Sequence, residues 1–285
     1  MAHQHIVTKP TPVFSLRSGR IEVHQVPVWQ DNLVWLLVDP RTREAIAVDG
    51  PEAGPVLTYC AAHQLTLTGI VNTHTHGDHI GINRDLENQG RLNAMRVVGA
   101  RMRAAEIPGI TEPVEEGDSV QIGSVQGRVM LTEGHLDGHV SYLFEDVLFC
   151  GDTLFAGGCG YLFDGPPEKM YASLQRLAAL PPETKVCCAH EYTEDNLKFA
   201  RWVEPDSMRV ASRLSAVQKH RATGGSTLPS TIGDELETNP FLRGHSPMIL
   251  AELKKHQPHL DTSNPVDVFA LTRSLKDRKL YRAAS

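Results

Sequence analysis

A chain of 285 residues with 41% hydrophobic side chains can bury a sizeable core as one large domain or as a domain with an appendage, and its formal net charge of −6 argues against a general nucleic-acid binder. No run approaches the ~20 continuous apolar residues of a membrane-crossing helix, and the start Met1-Ala2-His3-Gln4-His5 lacks the basic-then-apolar pattern of a secretory signal, so a cytoplasmic globular protein is expected. The five cysteines include one adjacent pair and no Cys-x-x-Cys, which suggests neither a disulfide framework nor a thiolate zinc site and makes most of them small core residues.

In chain order, residues 1–18 show no periodicity and contain Pro10 and Pro12, predicting an extended, partly disordered leader. Ile21 to Val26 alternates, Leu33 to Val38 is apolar throughout, and Ala45 to Gly50 ends in a turn signal, which predicts three successive strands. A helix between Ala53 and His63 and a strand from Gly69 to Thr73 lead into the segment His74-Thr75-His76-Gly77-Asp78-His79, after which a second helix runs from about Ile80 through Asn88. Further strands are predicted at Arg96–Gly99, Ser119–Ile122, Gly127–Thr132, Val140–Phe144, Val147–Cys150 and Lys185–Ala189, with a helix from Glu168 to Leu180. Beyond Asp195 the pattern is helical and more polar, broken at Gly224-Gly225-Ser226. The expected organisation is therefore a leader (1–18), an α+β domain (19–193) and an α-helical domain (194–285).

The segment 74–79 puts three imidazoles and a carboxylate into six positions at the end of an apolar run, the donor types that zinc and similar cations prefer. Gly134-His135, Gly151-Asp152 and Ala189-His190-Glu191 also follow apolar runs, and loops at one end of a sheet can bring such residues together. Counting donors assigns His74, His76 and His135 to one ion and Asp78, His79 and His190 to another, with Asp152 giving one oxygen to each. A water shared by two cations ~3.5 to 4 Å apart would lose its proton near neutral pH and attack a carbonyl, with Asp78 and Asp152 as the catalytic carboxylates. His135-Leu136-Asp137-Gly138-His139 offers a second imidazole; His135, which follows Gly134, is favoured as the ligand, and His139 is read as supporting or structural. The chain has no His-Glu-x-x-His, Gly-x-Ser-x-Gly or P-loop.

The pattern from Thr73 to His79, with His135, Asp152 and His190, resembles the metallo-β-lactamase superfamily, which implies an αββα sandwich over roughly residues 20–190 with a dinuclear site between the loops of its two sheets. Asp31-Asn32, Gly151-Asp152-Thr153-Leu154-Phe155, Gly158-Cys159-Gly160, His190-Glu191-Tyr192-Thr193, Asn239-Pro240-Phe241-Leu242-Arg243 and Arg273-Ser274-Leu275-Lys276-Asp277 resemble glyoxalase II, the hydroxyacylglutathione hydrolases, over nearly the whole chain. That resemblance implies hydrolysis of S-(2-hydroxyacyl)glutathione, typically S-D-lactoylglutathione, with two divalent ions, zinc first and iron or manganese also accommodated. It implies that Arg273 and Lys276, neighbours on one helix face, hold a carboxylate of the tripeptide and that Tyr192 contacts its backbone. Tyr161 stands where relatives often carry a basic residue that contacts glutathione, Thr75 replaces a non-ligand histidine, and Gly50 is inserted before Pro51. A monomer acting on a small-molecule thioester, with no membrane or nucleic-acid partner, is expected. The competing readings are a single-iron glutathione persulfide dioxygenase and a non-catalytic metal-binding scaffold.

Overall fold

The computed structural model describes residues 5–283; residues 1–4 of the expected leader, and 284–285, lie outside the described residues. The first sheet has seven strands in the order β1 (Phe14–Ser15), β2 (Glu22–Val28), β3 (Asn32–Val38), β4 (Glu44–Val48), β5 (Thr66–Val71), β6 (Arg96–Ala100) and β7 (Glu112–Val114). The second contains β8 (Ser119–Ile122), β9 (Val125–Leu131), β10 (Val140–Phe144) and β11 (Val147–Gly151). A separate hairpin, β12 (Leu154–Phe155) with β13 (Gly158–Cys159), follows, and then β14 (Lys185–Cys188) and β15 (Ser230–Thr231) complete the second sheet in the order β15-β14-β11-β10-β9-β8.

The strand period of two explains why β3 is apolar at every position. Leu33, Trp35 and Leu37 enter the core between the sheets, while Val34, Leu36 and Val38 face a second core built with helices α1 (Ala53–Ala62) and α2 (Gly81–Asn88). Trp35 is fully buried and its indole Nε1 donates to the Cys188 carbonyl at 2.9 Å, a bond from the first sheet to the second. Helix α3 (Pro167–Ala178) buries Met170, Leu174 and Leu177 in one cluster with residues of the second sheet, and the C-terminal region supplies α4 (Thr193–Val203), α5 (Met208–Arg221), α6 (Ile232–Thr238), α7 (Pro247–His256) and α8 (Pro265–Asp277), of which α6 and α8 touch α3. The result is the αββα sandwich with a helical C-terminal region. All five cysteines are buried free thiols. Among the described residues, no helix is long and apolar enough to cross a membrane.

Local chemistry sets the helix starts. Pro167, Pro247 and Pro265 occupy first-turn positions where the missing N–H costs nothing, and the side chains of Ser207, Thr231 and Asn264 accept from first-turn amides of α5, α6 and α8. The expected strand Gly69–Thr73 stops at Val71 because Thr73 N donates to Asp49 Oδ1 (2.8 Å) instead of continuing the ladder. Strands β1, β7, β12, β13 and β15 are two or three residues long and carry no readable period. The described part of the expected leader runs alongside other elements, with Phe14 and Ser15 paired to β2 and Val7 and Leu16 buried.

Glu235 of α6 is fully buried, and its carboxylate accepts from Arg213 Nη2 (2.7 Å), Gly157 N (2.6 Å) and Asn239 Nδ2 (2.9 Å). Asn239 Nδ2 also donates to the carbonyls of Phe155 (3.2 Å) and Gly158 (2.9 Å), so this pair fixes the β12–β13 hairpin from the helical side. Arg213→Ala leaves that carboxylate buried without its cation, and equilibrium urea unfolding is expected to show a loss of about 3–5 kcal/mol.

Candidate metal centre

Strands β5, β9, β11 and β14 all end at one edge of the sandwich, and the loops that follow them carry the donors. The 74–79 loop is tied by Asn72 Nδ2, which donates to the His79 carbonyl (2.9 Å), and by the amides of His79 and Ile80, which both donate to the His76 carbonyl. The two sheets are fastened at the same edge, where Leu33 N donates to Ala189 O (2.7 Å) and Glu191 N to Asp31 O (2.9 Å). Gly151 has φ +47°, and a Cβ there would lie 2.3 Å from Thr73 Oγ1 and 2.8 Å from His139 Nε2; only glycine lets the end of β11 approach the loop this closely.

The structure brings all seven expected ligands together, six of them as two triads and Asp152 between these. His74 Nε2 and His135 Nε2 each lie 3.0 Å from His76 Nδ1. Asp78 Oδ2 is 3.7 Å from His79 Nε2 and 3.5 Å from His190 Nε2. Asp152 stands between them: Oδ2 is 3.5 Å from His135 Nε2, and Oδ1 is 3.5 Å from His79 Nε2 and 3.4 Å from His190 Nε2. A tetrahedral cation with nitrogens at ~2.0–2.1 Å requires donors about 3.4 Å apart, so these spacings suit two ions. Among the described residues, His79 Nε2 and Asp152 Oδ1 are buried polar atoms that face each other without a hydrogen bond. Buried polar atoms are nearly always satisfied, and a cation between these two would satisfy both.

Charge divides the site. Burial lowers His74, His76 and His135, so the first triad presents neutral imidazoles. Burial also opposes charge on His190 and His79, but the Asp152 carboxylate overrides it and raises His190 to about 9 and His79 well above the usual imidazole range. Asp152 itself is held well below the carboxylate range, burial being outweighed by His190 and His79. A divalent cation at the second triad would take the place of those protons.

Two carboxylates outside the expected set orient the rings. Asp49 Oδ2 accepts from His79 Nδ1 (3.0 Å) and Asp31 Oδ1 from His190 Nδ1 (2.9 Å), which turns both Nε2 atoms inward; Asn32 Nδ2 donates to Asp78 Oδ2 (3.1 Å). His135 Nδ1 donates to the Tyr161 carbonyl (2.9 Å). His139 belongs to neither triad: its Nε2 accepts from the Asp152 amide (3.2 Å) and Nδ1 meets Thr132 and Thr153, so it supports the loop. Asp31 stood out in the sequence only within a segment of family resemblance and Asp49 only in a strand-end turn, and neither carries a sign of which ring it will meet.

A cavity of about 520 Å³ opens from the triads. Phe163 lies edge-on to His76 and His135, with centroids 5.1 and 5.2 Å away, and is 62% exposed; no sequence signal marked it. The Tyr192 ring stacks flat on His190 (4.9 Å, 2°) and its hydroxyl donates to Asp31 Oδ1 at 3.4 Å. Tyr161, Arg273 and Lys276 line the same cavity. Arg273 lies between the rings of Tyr161 and Phe241, 5.0 Å from each, and donates to Asp277 Oδ1 and the Cys159 carbonyl. Lys276 Nζ donates to Asp195 Oδ2 (2.9 Å) and Tyr281 Oη (2.9 Å), and burial pulls its ammonium down to about 8 against the attraction of Asp195. Arg282, also on the cavity wall and pairing with Asp195 at 3.0 Å, is a third cation that sequence reading did not assign.

Comparison with known proteins places the chain in a family. Residues 31–190 match the family described as "Metallo-beta-lactamase superfamily", and residues 191–279 match "Hydroxyacylglutathione hydrolase C-terminus". A hydroxyacylglutathione hydrolase of Methylococcus capsulatus is 45% identical over 259 residues, covering 90% of this chain and 98% of that one. One from Synechococcus sp. is 44% identical over 261 residues, covering 89% and 98%. Among solved structures, ETHE1 from Myxococcus xanthus superposes with a TM-score of 0.56 at 26% identity, covering 86% of this chain and 93% of that one. The BLEG-1 B3 metallo-beta-lactamase, at 23% identity and a TM-score of 0.55 over 77% of this chain and 99% of that one, shares the fold. Asp31→Asn is expected to weaken metal retention roughly 10- to 100-fold, read by chelator competition, with an unchanged circular dichroism spectrum.

Proposed function

Because the chain belongs to the hydroxyacylglutathione hydrolase family, within the metallo-beta-lactamase superfamily, we propose that it hydrolyses S-(2-hydroxyacyl)glutathione thioesters, typified by S-D-lactoylglutathione, to glutathione and a 2-hydroxy acid. The observation that carries this reading is one cavity with the Asp152-bridged triads at its base and the cations Arg273, Lys276 and Arg282 on its walls. Such a space fits a ligand with a reactive thioester at one end and carboxylates elsewhere.

In this reading His74, His76 and His135 hold one divalent ion, Asp78, His79 and His190 the other, and Asp152 both. Zinc is the first choice, with iron and manganese compatible with the same donors. When bound, the ions supply Lewis acidity, bringing water near its deprotonation point at neutral pH and polarising the acyl carbonyl. The chain's own groups do the positioning. Asp31 and Asp49 aim the rings of His190 and His79, and Asn32 steadies Asp78. Asp78 and Asp152 face the cavity and orient the attacking water against the carbonyl. A thiol of pKa ~8.5 leaves readily as its anion, so the step requires no dedicated proton donor.

Arg273 and Lys276 lie i and i+3 on α8 and hold a substrate carboxylate; Tyr161 and Tyr192 flank the peptide. Both side chains are held in place by Asp277, Asp195 and Tyr281, so the two cations are positioned before substrate arrives. Residues 19–193 then form the catalytic part and 194–285 the substrate-binding part of a cytoplasmic monomer. Two complete triads favour this chemistry over a single-iron dioxygenase or an idle scaffold.

The test is steady-state hydrolysis of S-D-lactoylglutathione together with metal quantification on the same preparation, with about two ions per chain expected. Asp152→Ala should lower kcat more than about a hundredfold and lose metal at the same time; full activity with both ions retained would exclude the site. Arg273→Gln or Lys276→Gln should raise KM roughly tenfold with a smaller change in kcat, because the groups bind remote from the reacting carbon.

A further inference from the structure

Two sequence features are left unused by the hydrolytic reading: the segment before the first strand and the Gly224-Gly225-Ser226 break. The structure joins them. Thr8 N and Lys9 N both donate to the Gly224 carbonyl (3.0 and 2.9 Å), Ser226 N returns a bond to the Lys9 carbonyl (3.0 Å), and Lys9 pairs with Gly225 in a parallel bridge. Arg221, at the end of α5, donates from Nη2 to the carbonyls of His5 and Ile6, at 2.8 Å each. Val7 is buried, and Thr11 N donates to Gln25 Oε1 (2.9 Å). Gly224 has φ +80°, and a Cβ there would lie 2.0 Å from Thr8 Oγ1, so the glycine is what allows the strap to dock.

The strap delivers His5 to the wall of the catalytic cavity. Its Nδ1 donates to the Glu191 carbonyl (3.0 Å), and its ring meets Tyr192 edge-on at 5.4 Å. Tyr192 lies flat on His190, so His5 stands two rings out from the second triad. With Nδ1–H given to a backbone carbonyl, the lone pair resides on Nε2.

We infer that His5 is a substrate-binding residue of this chain, presented by a strap on the 224–226 turn, whose Nε2 accepts a hydrogen bond from an N–H of the peptide portion of the glutathione thioester. The inference rests on the proposed hydrolytic reading and deepens it. It assigns His5 to binding rather than to the reacting atoms, because Tyr192 stands between it and His190.

Steady-state hydrolysis of S-D-lactoylglutathione by the full chain, with calorimetric titration of the non-hydrolysable thioether S-methylglutathione, tests it. His5→Ala should raise KM and the thioether dissociation constant roughly threefold to tenfold with kcat within twofold of the unmodified protein. His5→Phe keeps the edge contact with Tyr192 but has no acceptor, and should show the same rise. Gly224→Val should do so too, by lifting the strap; if that chain does not fold, the His5 pair still decides. KM and dissociation constant within twofold of the unmodified values for His5→Phe overturn the inference, as does a fall in kcat alone. An unmodified protein that binds S-methylglutathione but does not hydrolyse the thioester overturns the hydrolytic reading, and a loss of thioether affinity in His5→Phe then still upholds His5 as a glutathione contact.

Discussion

The structure depends on one carboxylate reaching two places at once. Asp152 spans both triads with its two oxygens, and it can do so only because the end of β11 is brought against the loop that follows β5. Those strands belong to different sheets, so the site exists only when the sheets are stacked in one register. The stacking is secured by apolar burial, by the indole of Trp35 on the Cys188 carbonyl, and by the backbone pairing of residues 31–33 with 189–191 at the rim. Hydrophobic packing thus sets the distance, and a few polar bonds set the angle.

Around that carboxylate the protein spends further charge on holding rings still. Asp31 and Asp49 each take the Nδ1 proton of one histidine, which fixes the tautomer and leaves Nε2 for the centre. The same device, with a backbone carbonyl as acceptor, fixes His135 through Tyr161. Three donors to the centre are therefore positioned by groups from three separate segments, and the entropy of ordering them is spent during folding rather than on metal binding.

Most of this centre could be read from the sequence because metal chemistry is dense and local. Four donors in six residues, at the end of an apolar run, leave few alternatives, and His135, Asp152 and His190 follow apolar runs in the same way. The run Leu33–Val38 foretold a strand, which the fold buries on both faces. What could not be read is what depends on cross-chain distance. Nothing in the sequence pairs Asp49 and Asp31 with the imidazoles 30 and 159 positions away beside which the fold sets them. Phe163 carries no pattern, Arg282 is one of several basic residues between 271 and 285 with nothing to single it out, and the two-residue strands are too short to show a period. Lys276 was legible as a cation but not as one already paired with Asp195, 81 residues earlier.

Strand β15 has a consequence that its length belies. It joins the sheet beside β14, yet its residues come from beyond α5, deep in the helical region. Severing the chain near residue 193 would strip β14 of its outer neighbour, and the hairpin that carries Cys159 would lose the Asn239 amide that holds it. The two halves are stitched through shared backbone bonds, so they are expected to melt as one cooperative body rather than as a catalytic module and a detachable helical cap.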